Sequence, residues 1–324
     1  MNIRASDVIR EFSRDREEMD SHHGRVRRVS DRPLIAVGVI GSAVTPYLLV
    51  LPEGAIRREV FGEYLRVKPS SELSLIDAQT GEKFIARATS VMFRSVNPAS
   101  LRFLDLLVES LLSPGGMEQV DSLTAGFIDL FSSKKGLSRD ELVGLFGELL
   151  VIDQASNSEQ MALAWHKNTQ DAFDFARDNE RVEVKTSLGN HRHHTFSSTQ
   201  IPPPDGTVAN VVSILTAEVE AGDSVVDLFA DLDKKIQRSA ELDRFRMKVL
   251  NFLGRDYEQC SALKFDFEMA CASLAIYDIR SLPHLQLPAE VVRANWTVNM
   301  ELVPELTAEQ RNLPKTLVQF LGRE

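Results

Sequence analysis

The chain has 324 residues with 43% hydrophobic and 26% charged content, the balance of an ordinary soluble globular protein that buries a core without disulfides or structural metals. Its formal charge of −10, from 37 basic and 47 acidic residues, argues against strong autonomous binding of nucleic acid by phosphate neutralisation, but not against an acidic cleft that works on one. Two cysteines, Cys260 and Cys271, lack any repeated spacing and read as reduced, core or half-buried thiols, as expected in the cytoplasm.

The first 30 residues are polar and charged and read as an exposed arm, with the start of a helix at 7–12. Arg4, Arg10 and several acids precede any apolar run, so no signal peptide is expected. Residues 34–40, 46–51, 63–67 and 83–93 are rich in Val, Ile and Leu and are separated by turn clusters such as Pro52-Glu53-Gly54 and Thr80-Gly81; they read as strands. The longest apolar stretch, 33–51, is interrupted by Gly38, Gly41, Ser42, Thr45 and Pro46, which breaks it into strand-sized pieces rather than a membrane span. Residues 98–112 carry Leu101, Leu104, Leu107, Val108, Leu111 and Leu112 at helical spacing. Ser113-Pro114-Gly115-Gly116 ends that helix and is the best candidate domain boundary. The expected organisation is a β-rich N-terminal domain over 1–112, for recognition or partner contact, and a second domain over 113–324 that opens with a helix at 119–131.

The clearest helix start in the chain is Ser138-Arg139-Asp140-Glu141, a capping box in which the serine hydroxyl accepts from the third helical amide while Glu141 reaches back. Leu142, Leu145, Phe146, Leu149 and Ile152 form the apolar face of a helix that runs to about 154. Gly144 and Gly147 each cost such a helix about 1 kcal/mol against alanine, so close approach of another backbone is expected there. Strands follow at 162–166, 172–177, 181–187 and 194–198, then the turn Pro202-Pro203-Pro204-Asp205-Gly206, a strand at 209–219 and a helix at 224–238. This order gives an α/β fold with a mixed core over 138–240. The extension over 241–324 reads as a helix at 240–253, strands at 263–279 and 294–302, and a terminal helix at 307–324 broken by Pro314.

The sharpest local pattern is Arg181-Val182-Glu183-Val184-Lys185-Thr186. Residues two apart in a strand share a face, so Glu183 and Lys185 point one way while Val182 and Val184 enter the core. Phe173-Asp174-Phe175 repeats that logic, two aromatics inward and one carboxylate outward. Asp174 set beside Glu183 on an adjacent strand would be repelled unless a proton or cation lay between them, and oxygen ligands favour Mg2+ or Mn2+.

Asp174 followed by Glu183-Val184-Lys185 resembles the PD-(D/E)XK (restriction-endonuclease-like) nuclease superfamily, with Phe173 in place of the usual proline. The wider pattern, Gly144-Leu145-Phe146-Gly147-Glu148-Leu149, then Trp165, Phe173-Asp174-Phe175 and Val182 to Thr186, is similar to a bacterial branch of PD-(D/E)XK motif proteins whose genes lie near restriction-modification and phage-defence genes. The resemblance implies an α-β-β-β-α-β core with a mixed sheet and a divalent-metal-dependent endonuclease that acts on DNA. It also implies roles. Asp174, Glu183 and the Val184 carbonyl hold the metal, Glu148 completes the site or binds a second ion, and Lys185 orients or activates the attacking water. Gln200 is a weaker candidate for the glutamine found in some branches, since the prolines after it leave little room for a helix. Arg181, Arg192, His193 and His194 form the locally basic neighbourhood that could contact nucleic acid.

Simpler readings stand beside these. The tripeptide (Asp/Glu)-x-Lys recurs at Asp233-Lys234-Lys235, on an amphipathic helix without a carboxylate partner, where it is a solvated face. The run His191-Arg192-His193-His194 suits an exposed loop better than zinc, for no cysteine lies near. Trp165 in a strand reads as core. No Walker loop or Gly-x-Ser-x-Gly elbow occurs, so ATP hydrolysis and serine esterase chemistry are not expected. The alternative function is a non-catalytic scaffold or DNA-binding subunit of a defence complex. DNA, other defence proteins and a second copy of the chain are the expected partners, and RNA as substrate stays open.

Overall fold

The structure, a computed structural model, describes residues 4–14, 23–40, 47–61, 65–93, 98–113, 137–165, 172–237, 239–253, 257–311, 317 and 321. The helix expected at 119–131 and the Gly115-Gly116 boundary lie outside these residues. Two units are compact in themselves, Met1–Gly136 with Arg246–Tyr257, and Leu137–Phe245 with Glu258–Glu324.

In the first unit, α1 (Ala5–Arg14) precedes β1 (Gly24–Asp31), β2 (Leu34–Ile40), β3 (Tyr47–Pro52), β4 (Val60–Phe61), β5 (Leu65–Asp77) and β6 (Lys83–Phe93), and α2 (Pro98–Leu112) follows. The strand order is β1-β2-β3-β6-β5-β4, and β1 also pairs with β5 in parallel, so five strands close on themselves as a barrel. Val26, Ala36, Leu48, Val50, Leu75 and Ala88 pack together as its core. Strand β1 overturns the expectation of an exposed arm. Of its two valines, Val26 is fully buried, while Arg27 reaches Glu11 at 2.8 Å and Arg28 reaches Glu82 at 3.0 Å. Period-2 alternation was present in the sequence, but surrounded by arginines it reads as polar.

The second unit holds α3 (Arg139–Gln154), α4 (Ser158–Ala164), β7 (Phe175–Arg177), β8 (Glu180–Leu188), β9 (His193–Ser197), β10 (Val208–Thr216), β11 (Glu218–Asp223) and α5 (Val225–Lys235). Helix α6 (Ala240–Leu253) begins in this unit and ends in the first. Helices α7 (Tyr257–Ala262) and α8 (Phe267–Ser273), strands β12 (Ala275–Asp278) and β13 (Asn295–Asn299), and α9 (Ala308–Arg311) complete it. The fold is mixed α/β. Its four-stranded sheet has the order β12-β10-β8-β7. Strands β8 and β10 run parallel in continuous register from Glu180↔Val208 to Leu188↔Thr216, with antiparallel β7 and β12 outside them. The connection between β8 and β10 carries β9 and a turn, and no helix. Strand β9 pairs with β13 instead, and Phe196, Val298 and Met300 pack with Val211, Tyr277 and Ile279 in one apolar cluster.

The capping box expected at Ser138 is formed, and a second stands at Ser224, where the sequence reading gives only a helix start. Ser138 accepts from the Glu141 amide while Glu141 accepts from the Ser138 amide, and Ser224 and Asp227 do the same at α5. Two expected strands are helical. Asn157 accepts from the Gln160 amide at 3.0 Å and starts α4, which turns residues 158–164 into a helix with Met161, Ala162 and Ala164 buried. Asp266 accepts from the Met269 amide at 2.9 Å and starts α8 inside the stretch 263–279, leaving only β12 as strand. Single Asx caps decided both segments against their apolar content.

Candidate active site

Helix α3 lies against β8 because one residue on it has no side chain. A Cβ on Gly147 would stand 1.8 Å from Thr186 Oγ1 and 3.4 Å from Val184 Cγ1. The close neighbour is thus a side chain rather than a backbone. Gly144 has nothing within 4 Å of the corresponding position, so the packing reason expected for it does not exist. Glu148, next to Gly147 on α3, is half-buried, and its Oε2 accepts from the Trp165 indole N–H at 2.6 Å.

Strand β8 alternates as expected. Val182 and Val184 are buried and Thr186 meets α3, while Glu183 and Lys185 share the other side. Asp174 is not in a strand. It occupies the bend just before β7, whose pairing Phe175↔Val182 would continue to Asp174 opposite Glu183. Its flanking aromatics are buried, at 4% exposure for Phe173 and 0% for Phe175. There the Asp174 carboxylate replaces a ladder partner. Its Oδ2 accepts from the Val184 amide at 2.7 Å.

Glu183 is 4% exposed, and its Oε1 accepts from the Lys185 ammonium at 2.6 Å. Its Oε2 is buried with no hydrogen-bond partner. Lys185 Nζ also lies 5.5 Å from the centre of the Phe196 ring, a cation–π contact from β9. Burial raises the pKa of Asp174 well above the usual carboxylate value, and the charges of Glu183 and Glu148 add to it; the Val184 amide and Lys185 oppose. Glu183 is raised too, by burial first, with Lys185 and the Gln200 amide opposing and Glu148 adding. These mutual effects place Glu148, Asp174, Glu183 and Lys185 in one electrostatic neighbourhood.

A cation would suit it. Three carboxylates face one ammonium, two of them are desolvated, and a buried carboxylate oxygen is left without a donor. The donor set is all oxygen, which suits a hard divalent ion. Among the described residues, no three His, Cys, Asp or Glu side chains stand together at ligating distance.

The remaining candidates separate. Gln200 sits in the turn after β9, 9% exposed; its Oε1 accepts from the Ser197 amide at 3.1 Å and its Nε2 donates to the Ala172 carbonyl at 3.0 Å, beside Asp174 in sequence. It belongs to the site without a helix. Arg181 is turned back on backbone carbonyls of Asp178 and Glu180. Arg192 is committed inside the unit: its guanidinium donates to the Ser213 carbonyl at 2.9 Å, to Ser213 Oγ at 2.8 Å and to the Ser273 carbonyl. His194 is 3% exposed between Ser187 Oγ at 3.2 Å and Ser213 Oγ at 2.7 Å. Burial, with Lys185 and Arg192 nearby, lowers its pKa to about 4, so it is neutral near pH 7. His193 is exposed and stacks on His191 at 5.5 Å. Of that run, Arg192 and His194 are internal supports and His193 alone is left facing solvent beside His191. Two neighbours of the site escaped the sequence: Phe196 as a ring against Lys185, and Trp165 as the donor to Glu148. Alternation along β9 could have found the first.

Residues 108–301 match a family model described as "Putative PD-(D/E)XK family member, (DUF4420)". Searches of curated proteins and of solved structures return no match. No helix among the described residues is long and apolar enough to cross a membrane.

Proposed function

The chain belongs to the PD-(D/E)XK family DUF4420, and from that premise we propose that it is a divalent-metal-dependent phosphodiesterase, a DNA endonuclease of restriction or phage defence. One observation carries the reading. Glu183 places an unpartnered, buried carboxylate oxygen beside Asp174 and next to a lysine that the same strand delivers to the same side.

Asp174, Glu183 and Glu148 would hold the ion, with the Val184 carbonyl as a main-chain donor. A divalent cation there supplies Lewis-acid stabilisation of charge on the scissile phosphate and lowers the pKa of water. Asp174 is oriented for this by the Val184 amide, which fixes its carboxylate against β8. Lys185 binds through Nζ: its ammonium, held by Glu183 and the Phe196 ring, donates to the attacking water or to a nonbridging phosphate oxygen and offsets developing negative charge. Gln200 bridges Ser197 to Ala172 and so fixes the loop entering Asp174. Exposed His193 is the remaining candidate for phosphate contact.

The test is cleavage of plasmid and linear DNA in Mg2+ and Mn2+, with wild type, Glu183→Ala and Lys185→Ala proteins that keep their circular dichroism. Metal-stimulated cleavage that both substitutions abolish is the expected result. No cleavage of DNA or RNA by the wild type with either ion, in the presence of its genomic neighbours' products, overturns the reading. The second reading is a non-catalytic scaffold or DNA-binding subunit that keeps the fold. It is favoured by the absence, among the described residues, of three ligands at ligating distance. Calorimetric titration with Mn2+ separates the two, since a scaffold has no need of metal at these carboxylates.

A further inference from the structure

We propose that Trp165 is a positioning residue, whose indole N–H holds the Glu148 carboxylate in the orientation from which it serves the metal site. The proposal rests on the reading of that site as a metal centre.

A glutamate on a helix has three rotatable bonds, so a half-buried carboxylate such as that of Glu148 needs a contact to fix where its charge points. The indole supplies that. Its Nε1 donates to Glu148 Oε2 at 2.6 Å, the short range of a charge-assisted bond. Trp165 is itself immobilised: it is 4% exposed and its ring meets Phe245 edge-on with centroids 5.3 Å apart. Its backbone forms a β-bridge with Phe175, the residue that follows Asp174. One residue therefore ties α3, which bears Glu148, to the start of β7, which sets Asp174. A buried tryptophan usually satisfies its N–H on a carbonyl or water. Here the acceptor is a carboxylate of the proposed site, 17 positions away.

Trp165→Phe keeps the aromatic packing and removes only the donor. Outer partners of metal ligands are worth about 10–100-fold in affinity, so Trp165→Phe should weaken Mn2+ binding by that factor in calorimetry. In a Glu148→Gln background, the same substitution should produce no further loss. If wild type binds Mn2+ and Trp165→Phe binds it equally well, the positioning role is wrong and the metal site stands. If wild type binds no Mn2+, the metal-site reading falls and this role falls with it.

A second measurement works without metal and without the Phe variant. The chain has two tryptophans, so Trp296→Phe leaves Trp165 as the only indole. Its indole N–H proton should resonate downfield in the nitrogen-correlated spectrum and move upfield on adding Glu148→Gln, as a charge-assisted bond becomes a neutral one. An indole resonance that ignores Glu148→Gln overturns the proposal.

Discussion

The Val184 amide donates to Asp174 Oδ2 at 2.7 Å, so the main chain of the motif strand holds the first carboxylate of the motif. Strand β7 begins only after this point, and the carboxylate takes over where a ladder carbonyl would have stood. The arrangement fixes Asp174 beside Glu183 even though burial and like charge both oppose its ionisation.

That opposition sets a stability cost in metal-free protein. With a folded pKa raised above the unfolded value, the folded state keeps a proton that the unfolded chain releases. The resulting stabilisation is present below about pH 3.9, the ordinary aspartate value, and is lost as pH rises through the folded pKa. Asp174→Asn keeps an acceptor for the Val184 amide and removes the charge. In chelator at pH 8 it should melt higher than wild type, with the gap narrowing toward pH 4. A variant that melts lower at pH 8 contradicts this.

Lys185 is the cation paired with the buried Glu183 carboxylate. Lys185→Met should therefore cost about 1–3 kcal/mol in denaturant unfolding at pH 8, the penalty for stranding a buried acceptor. The loss should shrink in acid, because Glu183 has a raised pKa and takes up a proton as pH falls. A pH-independent cost would show that the stem of Lys185, not its charge, supports the fold.

His194 gives the opposite pH signature. Its folded pKa of about 4 lies below the ordinary histidine value, so the unfolded chain binds the proton first as pH falls. The stability it contributes is complete above about pH 6.5 and is lost as pH falls through that value toward 4, by roughly 3 kcal/mol at 1.36 kcal/mol per unit. His194→Gln, which still offers a donor and an acceptor to Ser187 and Ser213, should flatten the melting curve across that window. An unchanged slope rules out His194 as its source.

The two glycines of α3 should respond in opposite senses. Gly147→Ala drives a methyl into Thr186 and should destabilise by about 1–3 kcal/mol, partly recovered by Thr186→Ala, which removes an oxygen with no hydrogen-bond partner. Gly144→Ala meets open space and should stabilise by up to about 1 kcal/mol. Chemical denaturation of the four proteins checks both signs.

Arg192 lies in the basic run but is spent on Ser213 and Ser273. Arg192→Ala should lower the melting temperature by several degrees while leaving the salt dependence of DNA binding unchanged, as measured by fluorescence anisotropy. A reduced salt slope would return it to the nucleic-acid surface.

The alternation Val182-Glu183-Val184-Lys185 set the faces of β8, and the Ser-x-x-Glu and Ser-x-x-Asp boxes set where α3 and α5 begin. Residues 98–112 formed the helix that their apolar spacing required. All of these rest on interactions within three or four positions, or on a period that one strand displays by itself, so they are written locally. What the tertiary structure decided lies between distant residues. The parallel pairing of β1 with β5 closed a barrel from a segment that reads as an arm. Caps at Asn157 and Asp266 overrode strand-like composition. Ser213, 19 positions from His194 and 21 from Arg192, drew both side chains inward and left the loop with His193 exposed. Only packing brought Glu148, Asp174 and Glu183 into one another's fields. Their chemistry was legible from residue type, but the burial that sharpens it comes from layers folded over β8 by other parts of the chain.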